Sequence, residues 1–359
     1  MTPLNQRRWR NFRANRRAFY SLILFSLLFG LSLCANFIAN DKPLLIRYDG
    51  GFYTPIFRFY PETAFGGDFQ TEAIYRDAFV QCLIVAAANA GCLDDPEATL
   101  TDAADGDIGG VKITKGFILW PPIPYSFNTI NDIDGTAPSP PDAKHWLGTD
   151  DTARDVVARV IYGFRLSVAF ALIVTFCTSV IGIAAGAVQG YFGGLIDLTF
   201  QRIIELWGAI PTLYVIIIMA AFVRMNFWLL VFLMVLFGWT GLVGVVRAEF
   251  LRARNFEYVR AARALGVSNR TIMFRHVLPN AMVATLTFLP FIITGAIGTL
   301  ASLDFLGLRA AVVVAVAGRI DPAGQAEPAG AVAGLYRLHH LCHHAFAAGL
   351  YIRRGPRRL

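Results

Sequence analysis

Apolar residues fall into long blocks along this chain, and polar segments of unequal length separate them. Phe19 to Ile38 is a run of about twenty apolar residues, long enough for a helix across a hydrocarbon core of ~30 Å. Ile161 to Val188 predicts a second spanning helix. Its Gly182, Gly186 and Gly190 recur at every fourth position, the small-residue spacing that lets helices pack closely in lipid. A third block opens with Asp197, Arg202 and Glu205 and ends near Val223, with Pro211 expected to kink or open it. Phe227 to Val246 is the fourth, with Gly238, Gly241 and Gly244 expected as packing notches. Ala281 to Ser302 is the fifth, expected to be broken by Pro290. Gly190 to Gly194 predicts a tight turn between the second and third blocks, and Arg224 to Asn226 a minimal turn between the third and fourth.

Two polar segments stand apart. Residues 39–146 carry aromatics, Gly-Gly pairs, an acidic stretch from Asp94 to Asp107 and a closing Pro138-Ser139-Pro140-Pro141 run. They predict a small irregular domain with short strands at Val111–Ile113 and Phe117–Trp120. Residues 249–280 read EFLRARNFEYVRAARALGVSNRTIMFRHVLPN and are basic. Here a helix over Phe256 to Leu265 puts Val259, Ala262 and Leu265 on one face. Gly266 follows as a left-handed cap. Ser268 caps a second helix, Asn269 to Val277, which Pro279 is expected to end while suiting the first turn of the next helix.

Composition moves the picture toward a membrane. The 359-residue chain is 55% hydrophobic and only 16% charged, too apolar for an ordinary soluble domain. The net charge of +7 is not spread evenly. Arginines crowd residues 1–17 and 247–275, while 39–146 is acidic, so the positive-inside rule places the N-terminus and the basic loop in the cytoplasm and 39–146 outside. Residues 1–18 form a basic arm, with Trp9 and Phe12 interleaved, expected along the inner headgroups. A cleaved signal peptide competes for residues 19–38, but the run is long for one and no clear cleavage site follows. Arg202 and Glu205, three apart on one helical face, predict a structural pair at the cytoplasmic interface. A charge pair on a substrate path is the alternative.

Candidate chemistry is sparse. Cys82 and Cys92 lie in the external segment, where pairing is permitted but not required; Cys34 and Cys177 lie in apolar runs. Gly109-Gly110-Val111-Lys112 lacks the phosphate-loop spacing, which occurs nowhere in the chain. The basic stretch 249–280 fits three roles. Its arginines suit anionic lipid; its small residues Ala261, Ala262, Ala264 and Gly266 suit a groove that another protein's backbone approaches; a DNA-reading helix pair is disfavoured, because spans begin at once on both sides.

That stretch resembles the coupling (EAA) loop of ABC-importer permeases, on Arg260-Ala261-Ala262, Gly266 and His276-Val277-Leu278-Pro279 at the family's spacing. Arginine replaces the family's glutamate and histidine its commonest isoleucine, as in the dipeptide/oligopeptide branch. His145 to Asp155, HWLGTDDTARD, resembles a signature that precedes the second span in that branch, on Gly148, Thr149, Asp150, Arg154 and Asp155; Ala153 stands where the family has glycine. From the residues alone, the same stretch is a helix cap by Asp150 or Asp151 with an interfacial Trp146. Leu33 to Gly50 further resembles permeases of oligopeptide/microcin C importers.

The resemblance implies an all-α polytopic membrane protein: a type I ABC-importer permease bundle with an extra N-terminal span (19–38), a periplasmic insertion (39–146) and a transmembrane domain (147–307) containing the coupling loop (247–280). It implies a multi-pass protein of the bacterial inner membrane that is not itself an enzyme, has no metal and no cofactor, and leaves ATP to its partners. Those partners are a second permease subunit in a heterodimer, two ABC ATPase subunits, a periplasmic peptide-binding protein and membrane lipid, with no nucleic acid. Tyr258, Arg260, Ala261, Ala262, Leu265, Gly266 and Pro279 are implied to couple ATP hydrolysis to alternating access. A secondary transporter or a membrane-anchored sensor or enzyme competes. The first expects ionisable groups in mid-membrane and the last a convergent catalytic set, and the sequence pattern offers neither.

Leu303 to Gly307 still follows the family. From Leu308 the composition turns to Ala, Gly, Arg and Pro, and His339, His340, His343 and His344 appear among the six histidines of the chain. A superficial likeness to a metal cluster is disfavoured. The expected sixth span is missing. A reading-frame shift near residue 308 would produce this change, and it predicts a run of about twenty apolar residues in another frame.

Overall fold

Four long apolar helices and one bent pair carry the blocks anticipated from hydropathy, and a small α/β unit fills the polar segment after the first. The computed structural model describes residues 3–86, 91–105, 116–133, 135–223 and 225–305. The expected strand at Val111–Ile113 and the tail beyond Leu308 lie outside them. The chain divides near Arg165 into two compact units.

The first unit begins with α1 (Pro3–Ala14) and α2 (Arg16–Leu33). Asn15 caps α2, its side-chain oxygen accepting from the Ala18 N–H at 3.3 Å. Trp9 and Phe12 stack at 5.8 Å, and Phe19 meets both edge-on. Leu24, Leu27 and Leu31 on α2 are exposed, as a lipid-facing helix requires. After α3 (Ala35–Ile38), β1 (Leu45–Tyr48) and β2 (Gly51–Tyr53) form a hairpin whose corner, Asp49 and Gly50, has φ of 44° and 73°. Two positive φ angles in a two-residue loop match the right-handed twist of the strands. β3 (Phe117–Leu119) pairs on the other side, giving the antiparallel order β2-β1-β3. Ile46 and Phe65 are wholly buried beneath this sheet, and Tyr48, Tyr53, Tyr60 and Tyr75 surround Phe65 edge-on.

Sequence reading expected strands here, and the structure adds helices: α4 (Ala78–Val85), α5 (Gly91–Asp94) and α6 (Pro96–Asp105). Asp77 caps α4 through the Phe79 N–H at 3.0 Å. Cys82 and Cys92 form a disulfide, so the pairing left open by their spacing is made. A closed loop of this size is stabilised by roughly 2–3 kcal/mol through the unfolded chain.

α7 (Val156–Phe192) starts in the first unit and continues through the second. The second unit then has α8 (Gly194–Gly208), α9 (Thr212–Phe222), α10 (Phe227–Gly238), α11 (Thr240–Ala253), α12 (Glu257–Ala264), α13 (Asn269–Thr271), a π-helical turn (Ile272–Val277) and α14 (Leu278–Phe305). α8 and α9 are bent by 60° across the break at Pro211, as expected. Gly193 and Gly194, at φ of 66° and 57°, make the turn before α8. Pro290 does not break the fifth span: α14 is continuous through it. Proline inside a membrane helix is tolerated where neighbouring groups and small local adjustments take up the freed carbonyl.

The glycine spacing on α7 is explained in full. A β-carbon at Gly182, Gly186 or Gly190 would lie 2.7, 2.7 and 2.5 Å from the carbonyl oxygens of Trp239, Val243 and Arg247. Both series advance by four residues, so one helix lies along the other turn for turn. Gly238 is a notch for Thr178, but Gly241 and Gly244 face open space, correcting the expectation that all three pack.

Candidate functional site

Residues 247–280 fold as two short helical arms hung from α11 and α14. α12 has Glu257 in its first turn and Arg263 in its last, each at the helix end that favours its charge. Its end is a complete Schellman motif: the Gly266 N–H reaches the Arg263 carbonyl at 3.0 Å, and the Val267 N–H reaches Ala262 at 3.1 Å. Gly266 supplies the φ of +75° that this motif needs. Ser268 then caps the second arm through the Thr271 N–H at 3.4 Å.

The expected end of that second arm at Pro279 is not found. The arm passes through the π turn directly into α14, with Pro279 in the first turn of the latter, the place expected for it. Proline has no N–H for the carbonyl one turn back, and its ring crowds that carbonyl. A wider local turn accommodates both effects without ending the helix.

Two anchors hold the loop to the bundle. Val259 and Ala262 are buried with Phe250, Ala253, Ile272 and Val277. Tyr191, at the end of α7, donates to the Asn269 side-chain oxygen at 2.7 Å, and the Arg263 guanidinium lies 5.5 Å over its ring. Neither partner of Tyr191 was legible from spacing, because each lies more than seventy residues away along the chain. Tyr258 is half exposed and accepts from the Asn280 amide at 3.3 Å.

Ala262 therefore does not belong to an exposed small-residue surface; its methyl group is core. Leu265 does not share the face of Val259 and Ala262. The helix stops at Ala264, and Leu265 is 83% exposed. Phe274 is 67% exposed on the second arm. Arg260, Ala261 and Gly266 are exposed, as are Arg263, Arg270 and Arg275. The loop so presents Leu265 and Phe274 most fully, and Phe256 and Tyr258 to 40%, among arginines.

One ion pair fixes the root of this loop. Asp197, in the first turn of α8, accepts from Nε and Nη2 of Arg247 on α11 at 2.5 and 2.6 Å. Arg202 and Glu205 also pair, at 2.6 Å, on an exposed face, which agrees with a surface structural role.

The stretch from His145 to Asp155 is a clasp at the entry to α7. Asp155, not Asp150 or Asp151, caps the helix: its Oδ1 accepts from the Ala158 N–H at 2.8 Å. Its Oδ2 meets Nδ1 of His145 at 3.0 Å, with both side chains buried. Asp150 folds the turn instead. Its Oδ1 accepts from the N–H groups of Thr152 and Arg154 at 2.9 and 2.8 Å, and Oδ2 pairs with Arg159. Thr149 hydroxyl bonds Ser139 at 3.0 Å, and Gly148 has φ of +74° against the Ser139 carbonyl. The Arg154 backbone closes the turn through the Asp150 N–H at 2.9 Å. Asp142 accepts from the His145 and Lys144 N–H groups, which hold its carboxyl below the ordinary range. Burial pushes the Tyr125 hydroxyl up and the Arg76 guanidinium down where the two stack at 4.6 Å. These bonds build a rigid turn, and the arrangement contains no nucleophile–base pair. Among the described residues, no group of three or more acidic, histidine or cysteine side chains could hold a metal ion.

Comparison with known proteins gives the family of the chain. A family model described as the binding-protein-dependent transport system inner membrane component matches residues 158–342. The inner membrane ABC transporter permease protein YejE of Escherichia coli (strain K12) is 50% identical over 308 residues, covering 86% of this chain and 82% of that protein. The peptidoglycan transport system permease protein YejE of Agrobacterium fabrum is 50% identical over 331 residues, covering 85% and 79%. The oligopeptide transport system permease protein OppC of Bacillus subtilis is 32% identical over 184 residues, covering 51% and 60%. Among solved structures, an inward-facing MetNI methionine ABC transporter aligns with 56% of this chain and 97% of its own, at 17% identity and a TM-score of 0.38.

Proposed function

We infer the role of a chain that belongs to the family of binding-protein-dependent transport system inner membrane components: it is the membrane-spanning subunit of an ABC importer for peptides or peptide-like compounds. The names of its half-identical relatives put permease activity at the centre of this proposal, and the peptidoglycan transport named for one of them, with the oligopeptide transport named for a relative at 32% identity, favours a peptide-like cargo. The similarity of Leu33 to Gly50 to microcin C importers adds that class to the cargo. The subunit itself performs no hydrolysis.

The observation that carries the proposal is the exposed pair Leu265 and Phe274 on a loop anchored by Val259, Ala262 and Tyr191. A rigid basic loop with apolar tips transmits a push; a loosely held one would absorb it. Two ABC ATPase subunits dock there, and a second permease subunit completes the bundle as a heterodimer. A periplasmic peptide-binding protein delivers cargo on the opposite side. The N-terminus and the loop lie in the cytoplasm, with residues 39–146 in the periplasm and α1 along the lipid headgroups, following the distribution of arginines. ATP-driven closure moves the loop and rocks the bundles between inward and outward access.

Leu265→Asp and Gly266→Trp test this in a complex reconstituted with its partner subunits. The Leu265 side chain is largely in solvent, so Leu265→Asp crowds nothing, whereas Gly266→Trp strains the cap at its φ of +75° although a β-carbon there meets nothing within 4 Å. Both variants are expected to insert normally and to lose peptide uptake at least tenfold. Normal uptake in Leu265→Asp would remove the loop from the coupling path.

A further inference from the structure

The turn after β2 carries aromatic residues that the packing of its own unit leaves in the open. Phe57 is 71% exposed and Phe59 61%, with the exposed Arg58 between them. The turn is nevertheless firmly made. The Thr54 carbonyl accepts from the N–H groups of Phe57 and Arg58 at 3.0 and 3.2 Å, Pro55 is buried, and Tyr53 meets Tyr60 edge-on at 5.2 Å. Large apolar side chains held outward on a tight turn mark a surface that something covers.

What covers it follows from where it stands. Phe57 meets Phe37 of α3 ring to ring at 5.8 Å, and Phe37 is itself 47% exposed. The exposed side chains of the lipid-facing helix α2 run on through Leu33 to Phe37. Phe37 lies twenty residues beyond Arg17, about 30 Å of helix, and the hydrocarbon core is about 30 Å thick. With Arg17 among the inner headgroups, Phe37 stands at the outer boundary. A polar knot beside it marks the same level. The Asn36 side-chain oxygen accepts from the Tyr162 hydroxyl at 3.0 Å and from Arg165 at 3.4 Å, and the Tyr162 hydroxyl also reaches the Ala39 carbonyl at 2.9 Å. Tyrosine and arginine are the residues that collect where a span meets the headgroups.

We propose that the turn 54–60 is a lipid anchor on the outer leaflet, with Phe57 and Phe59 entering the edge of the acyl chains and Arg58 reaching a lipid phosphate. The proposal rests on the outward placement of residues 39–146 inferred above. Apolar rings bind at this boundary by leaving water, and a guanidinium beside them matches a phosphate with two hydrogen bonds. A soluble partner would have to share this level with the headgroups.

The test places a nitroxide at Phe59→Cys in the complete importer, with the other free cysteines of the complex replaced by alanine, in nanodiscs containing phosphatidylglycerol. Collision of the label with oxygen is expected to exceed collision with a water-soluble nickel chelate several-fold. Adding Phe57→Ser/Arg58→Glu should erase most of that excess. A label that meets the chelate more often than oxygen places the turn in water, and one that meets neither places protein over it; both overturn the anchor, as does an unchanged ratio in the added variant. Glu97→Cys, exposed on α6, checks the outward placement separately, by its reaction with an impermeant maleimide in right-side-out vesicles. Reaction there leaves the placement standing whatever the nitroxide reports. No reaction there, with a cysteine in α1 reacting instead, overturns the placement and the anchor with it.

Discussion

Asp197 grips Arg247 through two hydrogen bonds, at 2.5 and 2.6 Å, across fifty residues of sequence. The planar guanidinium and the carboxylate meet side by side, the strongest geometry such a pair can adopt. The pair ties the first turn of α8 to α11 above the basic loop, and its partners are about a third and an eighth exposed. Water therefore screens it in part. Asp197→Asn leaves the guanidinium with a weaker partner and is expected to cost about 1 kcal/mol of stability in detergent, read as a lower thermal midpoint. A larger effect is expected on coupling, because the junction of α8 with α11 at the root of the loop gains freedom. ATP turnover should continue while peptide uptake falls. Uptake and turnover falling together would make the pair merely structural.

Ala153 has φ of +59°, the left-handed region where a β-carbon is penalised by roughly 1–2 kcal/mol. The clasp forces it there. The Ala153 N–H reaches the Asp150 carbonyl at 3.0 Å, and its own carbonyl receives the Asn131 N–H at 3.0 Å and the Asn131 side-chain amide at 3.1 Å. The related signature has glycine at this position, and the backbone angle gives the physical reason. Ala153→Gly should stabilise the protein by about 0.5–1 kcal/mol, after allowance for the extra freedom of glycine in the unfolded chain. A lower thermal midpoint would show that the alanine methyl makes a contact worth more than the strain.

Two glycines in apolar spans should answer the same substitution with opposite signs. A β-carbon at Gly186 would sit 2.7 Å from the Val243 carbonyl and 2.8 Å from the Val246 β-carbon. Backbone cannot yield as a flexible side chain can, so Gly186→Ala is expected to separate α7 from α11 at a cost of about 1–3 kcal/mol. Gly244 has nothing within 4 Å, and alanine is the better helix former by up to about 1 kcal/mol. Gly244→Ala should leave the thermal midpoint unchanged or raise it. Equal losses at both sites would contradict the turn-for-turn packing.

The spans were legible because a bilayer demands long apolar runs whatever else the sequence does. The loop was legible because its ends are made locally: Gly266 and Ser268 form their caps within five residues. What failed was the direction of small or isolated side chains. Ala262 is as compatible with a groove as with a core, and only the packing of Val259 beside Ile272 decides for the core. Leu265 left its predicted face because the Schellman turn ends helical periodicity one residue earlier. Pro290 was over-read because an extended apolar helix tolerates a defect that a short soluble one does not. The contacts of Asp197 with Arg247, Tyr191 with Asn269 and His145 with Asp155 join residues whose local patterns say nothing of one another.

Tyr75 is buried to 2% exposure with no hydrogen-bond partner for its hydroxyl among the described residues. A polar group taken out of water without a partner costs about 1–3 kcal/mol. Tyr75→Phe deletes the oxygen and keeps the ring that meets Phe65 edge-on at 6.0 Å. It should stabilise the first unit by about 1 kcal/mol at neutral pH, read as slower amide exchange in β1. The pH response provides an independent check. Burial, then the nearby Glu72 charge and Tyr60, raise the Tyr75 hydroxyl above its ordinary value of 10.0. A raised folded value means that the neutral form is favoured in the fold. Its contribution is complete below about pH 10 and is lost as pH rises through the raised value. Wild type should therefore destabilise in alkali more steeply than Tyr75→Phe, while the raised hydroxyls of Tyr48 and Tyr125 leave both with some alkaline loss. Parallel alkaline curves would mean that Tyr75 finds a partner for its hydroxyl or stays within reach of water.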